Sequence, residues 1–296
     1  MNRFDGPVAV LGLGTMGSGL AARLLDQGVP VKVWNRTAER VAPLVEAGAV
    51  AAARPVEAVA GTSAAICTVA DADALDAVLN GPGGVLTEGP YPGVLVCAGT
   101  VGPDDVARFS GQTRQLLDVG MLGNREHARS GELRLFAGGS TDAFSTGRPL
   151  LELLGKEVVH LGASGSGMRM KLLLNLLMGI EVQALAEAAE LGTAMGLDRQ
   201  QVLGTIAGSG FASPVMAFKS RRLASGTFDK PDFRLRLMAK DLQLARDASA
   251  AAGVRLPLVE AAADTHLSAT EQGYGDDDCA AVVRAVGAAA AAPQPV

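Results

Sequence analysis

Aromatic side chains are scarce in this chain. One tryptophan, two tyrosines and eight phenylalanines make up 4% of its 296 residues, so the core must be built mainly from alanine, valine and leucine. Cysteine is scarcer still: Cys67, Cys97 and Cys279 lie far apart with no C-x-x-C spacing. That argues against a disulfide framework or a cysteine zinc site, and a reducing, cytoplasmic setting is expected. His160 and His266 have no ligand-type companions, and Asp276-Asp277-Asp278 lacks a calcium loop around it, so no metal is expected. The aspartate run reads instead as a solvated turn and helix cap. No basic run stands out and the net charge is −5, which speaks against nucleic acid or an anionic membrane as a partner. Residues 1–5 lead into a strand with no signal-peptide core. The most apolar stretch, 172–180, is interrupted by Asn175 and closed by Glu181, too short to span a bilayer.

What the chain does have is a 48% hydrophobic content at a length suited to two domains. Short apolar runs at 8–11, 31–34, 64–69 and 94–97 read as strands buried on both faces. Helical patterns at 16–27, 38–47 and 73–79 alternate with them. Strands at 114–119, 133–137 and 157–161 and a helix at 142–154 follow. After Gly167 the pattern is helical throughout: 168–195, 198–208, 214–225, 235–252 and 256–273. The expected fold is therefore α/β, an N-terminal Rossmann-type domain with a parallel-rich sheet (1–163) followed by an all-α domain (164–287) and a frayed alanine-rich tail (288–296). The helix from Met168 is apolar on most of its circumference in its first turns. Burial on every side would need a second subunit, so a homodimer or homotetramer through the helical domain is expected. Met178, Met195, Met216 and Met238 read as core filler.

Gly12-Leu13-Gly14-Thr15-Met16-Gly17 joins the first strand to the first helix. Glycines at this spacing permit a tight turn, close approach of the backbone to a pyrophosphate, and tight packing of helix on strand. The amides at the helix start then hold the anion. After the second strand come Asn35-Arg36-Thr37, with no acid until Glu39. A carboxylate there would bind a ribose hydroxyl, whereas an arginine with small polar neighbours suits a 2′-phosphate. The expected cofactor is NADPH or NADP. Val69 and Ala70, at the end of the third strand of the pattern, are further candidate cofactor contacts, and Asp71 and Asp73 read as caps.

Over residues 8–278 the sequence resembles the β-hydroxyacid dehydrogenase family, which includes 3-hydroxyisobutyrate dehydrogenase and glyoxylate/succinic semialdehyde reductases. The G-L-G-x-M-G signature falls on Gly12 to Gly17. Gly99-Thr100-Val101-Gly102-Pro103 matches the S-T-x-x-P segment with Gly99 for serine, and the resemblance implies Thr100 near the nicotinamide. Gly165, Gly167, Lys171 and Asn175 complete the catalytic G-x-G-x-x-x-K-x-x-x-N motif, with Leu174 where a second asparagine is usual. Phe233 and Lys240-Asp241-Leu242 match the F…K-D-L segment, which implies Lys240 beside the cofactor. The substrate loop, Asp118 to Leu133, departs most: Leu122 stands for a serine, Asn124 and His127 for glycines, while Gly123, Ala128, Gly131 and Leu133 match.

Hydride transfer to a carbonyl leaves an alkoxide that needs a proton, and Lys171 is the residue suited to supply it. Asn175, four residues on and on the same helix face, can fix the geometry of lysine or substrate. Candidate substrate contacts are Leu122, Gly123, Asn124, His127 and Phe233. Leucine offers a carboxylate nothing, so recognition of an acid would have to come from Arg125, His127 or Asn124. A bulkier or less acidic aldehyde, ketone or imine is expected. The rival readings are an imine reductase or reductive aminase on the same scaffold, and a non-catalytic NADP-binding module.

Overall fold

The computed structural model describes residues 4–113 and 115–286. By packing, the chain divides into two compact units, Met1–Lys171 and Leu172–Val296. Arg114, expected to open a strand, and the tail at 288–296 lie outside the described residues.

The first unit is an eight-stranded sheet in the order β3-β2-β1-β4-β5-β6-β7-β8. The strands are β1 (Val8–Leu11), β2 (Val31–Trp34), β3 (Val50–Ala51), β4 (Ala64–Cys67), β5 (Val94–Cys97), β6 (Leu116–Leu122), β7 (Leu133–Gly138) and β8 (Gly155–His160). All neighbours pair in parallel except β6 and β7. Helices α1 (Thr15–Asp26), α2 (Ala42–Glu46), α3 (Pro55–Val59), α4 (Ala72–Leu79), α5 (Pro103–Ser110), α6 (Arg125–Ser130) and α7 (Thr141–Leu154) connect them. Alternation along the strands divides the core in two. Val8 and Val10 face Leu20, Leu24 and Leu150, while Ala9 and Leu11 face Ala58, Leu75 and Phe109. Hydrophobic patterning located the parallel strands closely. The short strand β3 and the helices α3 and α6 escaped it, being too brief to show a period, and α5, with only Val106 and Phe109 buried, escaped it as well.

α8 (Ser166–Ala194) starts in the first unit and continues in the second, which also holds α9 (Arg199–Ala207), α10 (Pro214–Ser225), α11 (Leu235–Ala251) and α12 (Pro257–Ala269). Val182, Leu185 and Ala189 of α8 pack with Leu203, Leu223, Leu242 and Val259 in one core. Within the single chain α8 is not covered on all sides: Leu173 and Leu177 are 55% and 56% exposed. One expectation is corrected here: the apolar segment extends well past 172–180, since the helix has 29 residues and is long and apolar enough to cross a membrane, the one such helix among the described residues; Val182, Leu185 and Ala189 on it are completely buried in the helical core. Met238 fills the core as expected, whereas Met195 lies exposed past the end of α8.

The last helical pattern also breaks in two. α12 ends at Ala269, and a wide turn over Thr270–Tyr274 closes on Gly273, whose φ of 95° stops any continuation. A 3₁₀ segment, Cys279–Arg284, follows. Asp278 caps it and is completely buried, not solvated. Its carboxylate accepts from the Lys219 ammonium at 2.7 and 2.8 Å and from the Asp232 amide at 2.9 Å. Burial pushes this carboxyl up, but Lys219 and the surrounding amides more than offset it and hold it below its ordinary value.

Candidate active site

The turn between β1 and α1 forms a cradle. Gly12 has φ of 95°, open to glycine at no steric cost. A Cβ at Gly17 would lie 2.0 Å from the Gly12 carbonyl and 2.3 Å from Thr68 Oγ1, so the helix start is pressed onto the strand ends. At Gly14 a Cβ would meet nothing within 4 Å; this is the side that looks out on open space. Gly14 is the N-cap of α1 and no side chain caps that helix, leaving first-turn amides to be satisfied from outside. Open space over uncapped amides is what a pyrophosphate requires.

Two side chains brace the cradle. Asn35 Oδ1 accepts from the Leu13 amide at 2.8 Å, and its Nδ2 donates to the Thr37 carbonyl at 2.8 Å. Asn35 therefore ties the glycine turn to the end of β2, and the Leu13 amide is engaged within the protein. Thr68 Oγ1 donates to the Gly12 carbonyl at 2.6 Å. Sequence reasoning missed Thr68; a threonine straight after a strand carries no period to mark it. Arg36 and Thr37 are exposed, and Arg36 has no ion-pair partner among the described residues. Thr15 is exposed and Met16 half-buried against the α1 side of the core. Val69 is half-buried and Ala70 exposed before Asp71, which caps α4 by accepting from the Ala74 amide. The glycine that replaces the family serine has a packing reason: a Cβ at Gly99 would lie 2.1 Å from the Val69 carbonyl. Thr100 beside it is half-buried.

The lysine is positioned by a second glycine device. Asp118, completely buried on β6, accepts from the amides of Gly165 at 2.7 Å and Met168 at 2.9 Å. It thereby caps the start of α8, where negative charge is favoured. A Cβ at Gly167 would fall 2.3 Å from the Asp118 carbonyl and 2.5 Å from that of Phe136, and one at Gly120 would fall 2.8 Å from the Gly167 carbonyl. Glycines at both positions let the helix start lie directly on the sheet where β6 and β7 pair. One turn later Lys171, half-buried, donates from Nζ to the Met121 carbonyl at 2.7 Å. Asp118 was not among the expected site residues. Its motif position pointed to it, but its role depends on a helix that starts 48 residues later, which no local pattern reveals.

At the end of β6, Leu122 is exposed, and Gly123 after it has φ of 144°. Asn124 and His127 form a reciprocal cap on α6. Asn124 Oδ1 accepts from the His127 amide at 3.0 Å, and the Asn124 amide donates to His127 Nδ1 at 3.2 Å. Histidine here takes the part of the glutamate in a capping box.

In the second unit Asn175 is buried and donates from Nδ2 to Asp241 Oδ2 at 2.5 Å. Asp241 Oδ1 pairs with Lys240 Nζ at 2.9 Å. The expected partner of Asn175 was the lysine or the substrate; the side chain that holds it is Asp241. Phe233 is half-buried against the helical core. Of the other histidines, His160 stacks on Phe144 and bonds the Gly139 carbonyl at 2.9 Å. His266 is buried, and burial pulls its pKa down to about 4.

A parallel sheet with an uncapped glycine turn at the first strand end, followed by a helical unit, defines a nicotinamide-dinucleotide-binding dehydrogenase. Residues 7–162 match the NAD-binding domain of 6-phosphogluconate dehydrogenase, and 165–286 match the NAD-binding domain of NADP-dependent 3-hydroxyisobutyrate dehydrogenase. The chain belongs to the β-hydroxyacid dehydrogenase family. It is 30% identical to 2-(hydroxymethyl)glutarate dehydrogenase of Eubacterium barkeri over 94% of this chain and 93% of that protein. It is 32% identical to the cytokine-like nuclear factor N-PAC of Xenopus tropicalis over 95% of this chain, spanning about half of that protein (53%). The solved structure of 3-hydroxyisobutyrate dehydrogenase from Salmonella typhimurium superposes with a TM-score of 0.87 at 26% identity, covering 95% of this chain and 99% of that one.

Proposed function

We propose that the protein is an NADPH-dependent reductase that interconverts a carbonyl compound and its alcohol, with Lys171 as the proton donor. The observation that carries this reading is the 2.7 Å hydrogen bond from Lys171 Nζ to the Met121 carbonyl, held by the Asp118 cap and the glycine contact beneath it. When bound, a dihydronicotinamide would supply the hydride for the carbonyl carbon. The first-turn amides of α1 would hold its pyrophosphate, and Arg36, exposed and beside Thr37, would pair with a 2′-phosphate. Lys171 stabilises the negative charge that develops on the carbonyl oxygen and donates its proton there. Within the second unit, Asp241 holds both Asn175 and Lys240.

We also infer a homodimer or homotetramer. Leu173, Leu177 and Leu191 stay exposed on α8, apolar surface that a second copy would cover; light scattering giving a monomer at working concentration contradicts this. The activity is tested by following NADPH consumption with aldehydes, ketoacids and cyclic imines, with Lys171→Ala as control. The expected outcome is carbonyl turnover, about 100-fold or more slower in the variant and slower with NADH than with NADPH. Turnover of imines alone, or a rate untouched by Lys171→Ala, contradicts it.

A further inference from the structure

Side chains alternate along a strand, so Asp118, Gly120 and Leu122 share one face of β6. Lys171 lies on that face: a Cβ at Gly120 would fall 3.0 Å from the Lys171 Cβ. The lysine ammonium sits on the carbonyl of Met121, the residue between Gly120 and Leu122. Leu122 is 36% exposed, so the strand face that carries the lysine ends in open apolar surface.

Two of the polar residues beside Leu122, Asn124 and Arg134, already have partners within the protein. The Asn124 amide donates to His127 Nδ1, and Asn124 Oδ1 is taken by the His127 amide. Arg134 stands opposite Leu122 in the β6–β7 register, but its Nε donates to Glu157 at 2.5 Å. A carboxylate brought against Leu122 would lose water without gaining the Asn124 amide, and would meet the Arg134 guanidinium only in competition with the Glu157 carboxylate. An alkyl group there would lose nothing and bury apolar surface.

Resting on the reading of Lys171 as proton donor, we propose that Leu122 determines specificity: the site takes an uncharged aliphatic carbonyl compound and discriminates against one that carries a carboxylate close to its carbonyl. Butanal and succinic semialdehyde form a matched pair, sharing a four-carbon backbone and differing in a terminal methyl against a carboxylate. In either reaction the carbonyl carbon gains a hydride from NADPH, the oxygen gains the Lys171 proton, and an alcohol and NADP+ leave.

The test compares kcat/KM for the two aldehydes in the wild-type protein and in Leu122→Ser. The wild type is expected to favour butanal by about tenfold or more. Leu122→Ser is expected to raise kcat/KM for succinic semialdehyde about tenfold, with the Kd for NADPH unchanged. A wild type that uses succinic semialdehyde as well as butanal overturns the proposal, as does a Leu122→Ser ratio equal to the wild-type one. A preference for the acid that disappears in Arg125→Ala also overturns it, assigning recognition to that exposed arginine. If neither aldehyde is reduced, the reading of Lys171 fails, and calorimetry on the NADP+-loaded protein still decides the question of the wall. Tighter binding of butyramide than of butyrate supports an apolar wall; tighter binding of butyrate overturns it.

Discussion

Two completely buried aspartates, one in each unit, solve the same problem differently. Asp118 is held by two backbone amides at the start of α8. Asp278 is held by the Lys219 ammonium, with amides in support and the Arg222 guanidinium 3.5 Å away. A buried carboxylate without partners costs several kcal/mol, so both arrangements are obligatory, but they do different things. Backbone donors belong to the helix they come from, so Asp118 fixes where that helix begins and hence where Lys171 arrives. The Lys219–Asp278 pair joins side chains from α10 and the last 3₁₀ segment and closes the helical core. One charge serves the site and the other serves the fold.

Breaking the second is expected to have the largest effect. Lys219→Met leaves the buried Asp278 carboxylate with only backbone amides and the more distant Arg222 guanidinium and should cost about 3 kcal/mol, read as a drop in the denaturation midpoint. Adding Asp278→Asn should restore part of that loss, and a double variant no better than the single one would show that the lysine, not the charge pair, matters. The pair also carries a pH dependence. The folded-state carboxyl lies below its ordinary value, so its contribution is complete above the unfolded pKa, about 3.9, and is lost as pH falls through the lower folded value.

His266 gives a second handle within the helical unit. Its folded pKa, pulled down by burial to about 4, lies below the ordinary histidine value of 6.5. Above pH 6.5 both states are neutral and nothing is lost. Between 6.5 and 4 the unfolded chain takes up the proton first, so stability declines by about 3 kcal/mol across that window. His266→Gln should flatten the decline in urea titrations at pH 7 and pH 4.5; an unchanged slope would show another group responsible.

Asp118→Asn sharpens the contrast, with the smallest expected effect on stability. One carboxamide oxygen replaces two acceptors, for a loss of about 1–3 kcal/mol. Its catalytic signature should be larger: kcat down about tenfold or more with the Kd for NADPH unchanged. An equal fall in NADPH affinity would mean that the whole unit is disturbed, not the lysine's position.

The same contrast explains what the amino-acid pattern made legible. The cradle at Gly12 to Gly17 and the parallel strands were readable because each is local, a fixed spacing or an unbroken apolar run. Lys171 and Asn175 were readable through a complete motif. Asp118, Thr68 and Asp241 were not, because each acts on a residue distant in sequence. Asp278 read as solvated since it sits in a run of three aspartates, of which Asp276 is exposed and paired with Arg234. The α6 cap escaped because His127 accepts where a glutamate normally would, and the helix it caps is too short to announce itself.

Chemical rescue tests most directly the proposal that a helix capped by Asp118 delivers the Lys171 ammonium as the proton donor: NADPH-dependent aldehyde reduction by Lys171→Ala is measured with rising concentrations of methylammonium. The expected rate is very low without the amine and climbs with its concentration until the vacant position saturates, with the Kd for NADPH constant throughout. A variant that keeps most of the wild-type rate, or one that binds NADPH normally and is indifferent to the amine, would contradict it.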